Sequence, residues 1–152
     1  MMDRRKQNIS ALPSLRELMA RTDLQARKSL GQNFLFDLNL TSRIARTAAP
    51  LNGTIIEVGP GPGGLTRALL LESDAHIIAI EKDRRAIAFL THLVEAAEGQ
   101  LELIEEDALK APLWTYGSAP RQIVANLPYN IATPLLLSWL QHADAFTSMG
   151  LM

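Results

Sequence analysis

Asn126-Leu127-Pro128-Tyr129 sets a side-chain amide, a ring without an N–H and an aromatic face in consecutive positions. The apolar run Ile123-Val124-Ala125 before it reads as a buried strand. The tetrapeptide therefore falls at the carboxyl edge of that strand, where open α/β sheets bind ligands. An amide oxygen and a main-chain carbonyl can accept the hydrogens of an amine, and an aromatic ring can stack on a flat group. Together they suit a nucleobase. The alternative is a polar turn with Pro128 opening the next helix.

Gly59-Pro60-Gly61-Pro62-Gly63-Gly64 follows the strand pattern Thr54-Ile55-Ile56-Glu57-Val58 and precedes a helical one. Gly59, Gly61 and Gly64 meet the G-x-G-x-x-G spacing of dinucleotide folds, in which a missing side chain lets a ligand approach the backbone and a helix N-terminus. Glu81 ends a second strand pattern, His76 to Ile80. An acid there accepts hydrogen bonds from both hydroxyls of a ribose, and NAD and S-adenosylmethionine both contain one. Asp107 follows a third strand, Leu101 to Ile104, and is the candidate to read an adenine amine. Its neighbours Glu105 and Glu106 read as charges at a surface turn. Glu57 either orients a cofactor or bonds to loop amides. His76, His92 and His142 show no metal spacing. Trp114, Tyr116 and Trp139 read as packing residues.

The elements that must position these groups alternate. Strands over 54–58, 76–80, 101–104 and 121–125 are separated by helices over 64–72 and from Asp83 to about Ala97, the latter with Ile87, Leu90 and Val94 inward. A last helix spans Pro134 to His142, with Pro134 expected in its first turn. Strand–helix alternation predicts a parallel, doubly wound sheet. Upstream, residues 1–13 read as flexible, and Ser14 with Glu17 has capping-box spacing for a helix over 14–21. Residues 22–36 read as a loop. Asp37 caps a helix over 38–49 with Leu38, Ile44, Ala45 and Ala48 inward. Ser148 to Met152 reads as the start of a fifth strand, so the chain is expected to be the N-terminal part of a longer protein.

The 152 residues suffice for one domain with a real core. With no cysteine, disulfides and thiolate metal sites are excluded, which fits a reducing cytoplasm. No apolar stretch is long enough to span a bilayer, and no apolar segment follows Arg4, Arg5 and Lys6 as in a signal peptide. The net charge of −1 divides into +4 over residues 1–35 and −5 over the rest. A basic arm on an acidic body is a candidate phosphate contact.

Four motifs in order, Gln32-Asn33-Phe34-Leu35, Glu57-Val58-Gly59-Pro60-Gly61, Glu81 and Asn126-Leu127-Pro128-Tyr129-Asn130, give the chain a close resemblance to the ribosomal RNA adenine N6,N6-dimethyltransferases. This is the family of the small-subunit enzyme that gives kasugamycin sensitivity. Similarity runs from about Leu24 onward, and Lys28-Ser29-Leu30-Gly31 leading into Gln32 is its most specific part. The resemblance implies a Rossmann-like class I S-adenosylmethionine-dependent methyltransferase fold. It implies S-adenosyl-L-methionine bound by Asn33, Leu35, Gly59, Gly61, Glu81, Asp107 and Asn126, with Asn126, Leu127, Pro128 and Tyr129 at the target base. The implied reaction is dimethylation of N6 on two adjacent adenines in the 3′-terminal hairpin of small-subunit (16S) rRNA, during ribosome biogenesis. The implied partner is small-subunit rRNA in a pre-30S particle, with no metal, no membrane and a monomer at full length.

Family members continue well past residue 152, completing a seven-stranded sheet and adding a small helical domain. The expected organisation is thus a basic arm with a short helix (residues 1–22) and an incomplete catalytic domain (23–152), C-terminally truncated, poorly active and aggregation-prone alone. Competing readings are an NAD-dependent dehydrogenase, a truncated non-catalytic rRNA-binding or assembly factor, a large-subunit rRNA dimethylase of the antibiotic-resistance type, and a DNA adenine methylase.

Overall fold

The structure, a computed structural model, describes residues 3–21, 37–127 and 129–152, with the Tyr129 side chain also outside the description. The predicted alternation is present. Strands β1 (Thr54–Val58), β2 (His76–Glu81), β3 (Leu101–Glu105), β4 (Arg121–Ala125) and β5 (Ser148–Leu151) form one sheet in the order β3-β2-β1-β4-β5. Every pairing is parallel. The helices are α1 (Arg4–Ser10), α2 (Leu15–Ala20), α3 (Leu38–Thr47), α4 (Gly64–Glu72), α5 (Arg84–Ala96) and α6 (Tyr129–Leu140).

Alternate residues of each strand enter opposite layers, as strand geometry requires. Ile55, Ile77, Ala79 and Val124 pack with Ala45 of α3, Leu65, Ala68 and Leu69 of α4, and Leu90 and Leu93 of α5. Ile56, Ile78, Ile80, Ile123 and Ala125 pack on the other face with Leu135 and Trp139 of α6 and with Leu113. Central strands covered on both faces read as continuous apolar runs, which is why β1, β2 and β4 were legible.

Four details differ from the sequence expectations. Residues 4–10 are a helix, not a flexible segment: Asp3 caps α1 by accepting from the Lys6 N–H, and Ile9 is fully buried in the first core layer. Arg4 pairs with Glu98 at 2.9 Å, Arg5 with Asp74 at 2.9 Å and Lys6 with Asp74 at 3.4 Å, so these three cations are not a free basic arm. Exposed pairs of this kind contribute about 0–1 kcal/mol each, whereas burying an isoleucine side chain contributes roughly 1.5–3 kcal/mol; Ile9 is therefore what docks α1.

In α3, Leu38 is 40% exposed and Thr41 takes the inward position beside Ala45. Thr41 can be buried because its hydroxyl donates to the main-chain carbonyl of Leu38 at 3.2 Å. In α5 the fully inward positions are Ala86, Leu90 and Leu93, while Ile87 and Val94 flank the buried stripe. In α6, Pro134 is the sixth helical residue rather than part of the first turn. Proline there leaves the carbonyl of Asn130, an exposed residue, without its helical N–H. The apolar packing of Leu135 and Trp139 holds the helix over that gap.

The last helix, expected over Pro134 to His142, runs Tyr129–Leu140, and the expected helix caps hold. Ser14 accepts from the Glu17 N–H at the start of α2, and Asp37 and Asp83 cap α3 and α5 through the N–H groups of Asn39 and Arg85. The Gln32–Leu35 stretch and the predicted 22–36 loop lie outside the described residues. Among the described residues no helix is long and apolar enough to cross a membrane.

Candidate functional site

The register of the three central strands builds the site. Val58 lies level with Ile80 on one side and with Ala125 on the other. The next residue of each strand line, Gly59, Glu81 and Asn126, therefore emerges at one sheet edge. The strand order reverses direction between β1 and β4, so this edge is the switch point at which doubly wound sheets leave a crevice.

Gly59, Gly61 and Gly63 all have positive φ, at 69°, 56° and 100°. At Gly63 the left-handed backbone forms the N-cap of α4 with no side-chain cap, leaving first-turn N–H groups to a ligand or solvent. A Cβ on Gly63 would stand 2.7 Å from Leu93 Cδ1 and 2.9 Å from Leu90 Cδ2, so this glycine also lets α4 and α5 pack closely. A Cβ on Gly59 would stand 3.5 Å from Leu127 Cδ2 and 4.0 Å from the Asn126 carbonyl oxygen, in the crevice between β1 and β4. Glycine keeps that space open, which fits a ligand lying against the backbone.

Glu81 is nearly buried and its carboxylate gathers the loop. Oε2 accepts from the Gly61 N–H at 3.1 Å, and Oε1 accepts from the N–H groups of Lys82 at 2.9 Å and Asp83 at 3.0 Å. A carboxylate offers about four lone-pair sites, so roughly one remains, on Oε2. This group fits a ribose: it is an acceptor-only side chain at the switch point, oriented by backbone donors. Asp107 is half-buried; its Oδ1 accepts from the Leu109 N–H at 3.0 Å, and its main-chain oxygen accepts from Lys110 and Ala111. Asn126 is half-buried and Leu127 buried directly after β4. The Asn33 and Leu35 positions, Pro128, and the ring of Tyr129 lie outside the described residues.

Glu57 is bonded to α4 rather than to a loop amide. It is 2% exposed, and its partner is the hydroxyl of Thr66 in α4, which donates to Oε1. Burial pushes the Glu57 carboxyl up to about 8; the Thr66 bond opposes this and the nearby Glu81 charge adds to it. Glu57 and Thr66 thus tie β1 to α4 on either side of the glycine loop. No motif marks Thr66; only the packing of helix on strand reveals it.

Glu105 fits the surface-charge reading, paired with Arg84 at 2.7 Å. Glu106 does not: both its oxygens accept from the Tyr116 hydroxyl, at 2.9 and 2.7 Å. Trp139 is buried, and Trp114 stacks on His142 with centroids 3.6 Å apart. Among the described residues no cluster of His, Asp or Glu could hold a metal.

A parallel doubly wound sheet with a glycine loop and a backbone-held acid at the switch point defines a Rossmann-like nucleoside-binding domain, and the family and structural matches place it in the S-adenosylmethionine-dependent methyltransferase class. A solved 23S rRNA methyltransferase, ErmE, is similar with a TM-score of 0.62 and 29% identity, over 77% of this chain and 47% of that one. A glycopeptide N-methyltransferase, MtfA, solved with S-adenosylmethionine, shares the fold at a TM-score of 0.54 and 20% identity, over 69% of this chain and 49% of that one. The chain belongs to the ribosomal RNA adenine dimethylase family, whose model matches residues 23–152. Ribosomal RNA small subunit methyltransferase A of Paramagnetospirillum magneticum is 59% identical over 93% of this chain and 50% of its own length. That of Rhodospirillum rubrum is 56% identical over 93% of this chain and 49% of its own length. The chain spans about half the length of these curated relatives.

Proposed function

We propose that this chain carries the cofactor pocket and target-amine edge of an enzyme that dimethylates N6 of two adjacent adenines in the 3′-terminal hairpin of small-subunit rRNA, within a pre-30S particle in the cytoplasm. The observation that carries this reading is the side-by-side emergence of Gly59, Glu81 and Asn126 at the switch point, one residue beyond a shared register. The small-subunit target is favoured over the large-subunit one by the names of the relatives at 56–59% identity, against 29% for ErmE.

S-adenosyl-L-methionine would supply an electrophilic sulfonium methyl. Gly59 and Gly61 would give it backbone clearance, Glu81 would take its ribose and Asp107 its adenine amine, with Asn33 and Leu35 as further candidate contacts. Because Glu81 has about one lone-pair site left, it binds both ribose hydroxyls by giving up its bond to the Gly61 N–H. At the target, the adenine amine is a weak nucleophile because its lone pair is delocalised into the ring. The Asn126 amide oxygen and the Leu127 carbonyl accept its hydrogens and favour a pyramidal nitrogen. The bound cofactor would supply its methyl to that nitrogen and keep the C–S electron pair on sulfur, and the amine proton would leave to solvent. Pro128 has no N–H to compete for those carbonyls, and Tyr129 stacks on the extruded base, worth roughly 1–3 kcal/mol by analogy with single-strand binders. One N–H survives the first transfer, so the same groups can act again. Catalysis is by positioning and dipoles rather than by a strong base.

The test is calorimetric titration with S-adenosylmethionine and with NADH, followed by tritiated methyl transfer to small-subunit particles lacking the modification. The expected result is binding of the sulfonium ligand alone, with Asn126→Ala binding it more weakly and, at saturating cofactor, losing transfer by about a hundredfold or more. Preferential NADH binding, or an Asn126→Ala variant that transfers as well as the native chain, would overturn the reading. Ribosomal binding that survives with native and variant equally silent would favour an assembly factor instead.

A further inference from the structure

Tyr116 is the polar aromatic for which the proposed reaction has no use, yet it is tied into the site's scaffold on three sides. Its hydroxyl bridges both oxygens of Glu106, at 2.9 and 2.7 Å. Its main-chain oxygen accepts from Arg121 Nε at 2.7 Å, and Arg121 also holds the Gly117 carbonyl at 2.9 Å from the first residue of β4. Its ring packs against the second core layer. Burial, then the bond to Glu106, push the phenol up to about 12, so the hydroxyl stays a donor throughout the physiological range.

Glu106 is equally placed on the other side of the bond. Its N–H donates to the Glu81 carbonyl at 3.2 Å, extending the β2–β3 ladder one step beyond Glu81–Glu105. The next residue is Asp107. The bridge thus grips the segment that spaces Asp107 from Glu81, and it does so from a side chain ten residues downstream of Glu106, on the connection into β4.

We propose that Tyr116 is a positioning residue for nucleoside recognition: by bonding both oxygens of Glu106 it fixes Asp107 against Glu81, so that the base amine and the ribose are read at one spacing. This rests on the reading of Asp107 as the adenine acid and Glu81 as the ribose acid. A charge-assisted bond is worth about tenfold in an equilibrium when lost, and the loss falls on the base side, because the Glu81 carboxylate keeps its bonds from the N–H groups of Lys82 and Asp83.

The experiment measures calorimetric affinities of S-adenosylhomocysteine, its analogue with oxygen in place of the adenine amine, and its 2′-deoxy analogue. Native chain, Tyr116→Phe, Glu106→Gln and the double variant are compared. Tyr116→Phe is expected to reduce discrimination against the oxo analogue by about tenfold while leaving discrimination against the deoxy analogue intact. The double variant should lose no more than the single ones, as expected of one shared interaction. An unchanged base preference, or base and ribose preferences falling together with the melting temperature, would overturn the proposal and leave Tyr116 a packing residue. If the native chain shows no base preference, or its Asp107→Asn variant keeps the native preference, the underlying reading of Asp107 fails first, and that outcome is visible without any Tyr116 variant.

Discussion

Glu57→Gln probes a carboxyl that burial shifts strongly. The folded carboxyl is pushed from 4.5 up to about 8, chiefly by burial, with the Glu81 charge adding to the rise and the Thr66 bond opposing it. In the unfolded chain Glu57 ionises near its ordinary value, so between these two values the native state holds a proton that the unfolded state has lost. Stability linked to this group is therefore complete below the unfolded pKa and is lost as pH rises through the folded one. Each unit is worth about 1.4 kcal/mol, so moving from about pH 6 to about pH 8 costs roughly 2–3 kcal/mol. For a chain of this size that corresponds to a fall in melting temperature of roughly 5–10 °C. Glutamine keeps the shape and an acceptor for Thr66 but has no proton to lose. Thermal melts of native chain and variant at both pH values separate this linkage from every other titration, which both proteins share. The native-minus-variant difference should fall by roughly 5–10 °C across the interval. A difference that does not change with pH would refute the claim that burial holds Glu57 neutral.

Three further outcomes follow from the packing. Gly63→Ala combines positive φ with approaches under 3 Å to Leu90 and Leu93, whereas Gly99 has positive φ and open space around it. Denaturant titration should show a loss of about 2–4 kcal/mol for Gly63→Ala and about 1–2 kcal/mol for Gly99→Ala; equal losses would mean that the α4–α5 approach has slack. Ile9→Ala should cost about 2–5 kcal/mol because the side chain is fully buried, while Arg4→Ala should cost under about 1 kcal/mol; an Ile9 effect as small as the Arg4 effect would undock α1. Glu81→Ala should weaken S-adenosylhomocysteine by at least about tenfold, since it removes both the ribose acceptor and the anchor of Gly61; unchanged affinity by calorimetry would remove Glu81 from the site.

Much of the frame was legible in the chain itself. Thr54–Val58, His76–Ile80 and Arg121–Ala125 are apolar runs because both their faces are covered, and Ser14, Asp37 and Asp83 announce helices because a short oxygen-bearing side chain satisfies the first free N–H groups. These are local signals, carried by neighbours in sequence. The inward face of α3 was misjudged because Thr41 is made tolerable by a bond within its own turn, which hydrophobic spacing does not register. Residues 4–10 were missed for a related reason: their polar composition hides the single Ile9 that docks them, and the hole it fills is made by residues far along the chain.

The candidacy of Gly59, Glu81 and Asn126 as site residues was available from the sequence, since each lies at the end of a strand and strand ends are where such folds bind. Their alignment was not, because register depends on which strands pair, and β4 lies beside β1 although two strands intervene in the chain. The same holds for Glu57 and Tyr116. Sequence shows an acid before a glycine loop and an aromatic in a connection; only folding removes water from Glu57, gives it Thr66 as a partner, and brings a phenol onto Glu106. Residue types set what chemistry was possible. Desolvation and long-range pairing, which exist only once the chain has closed on itself, decided which acid stays protonated, which carboxylate holds the loop, and which strand ends face one another.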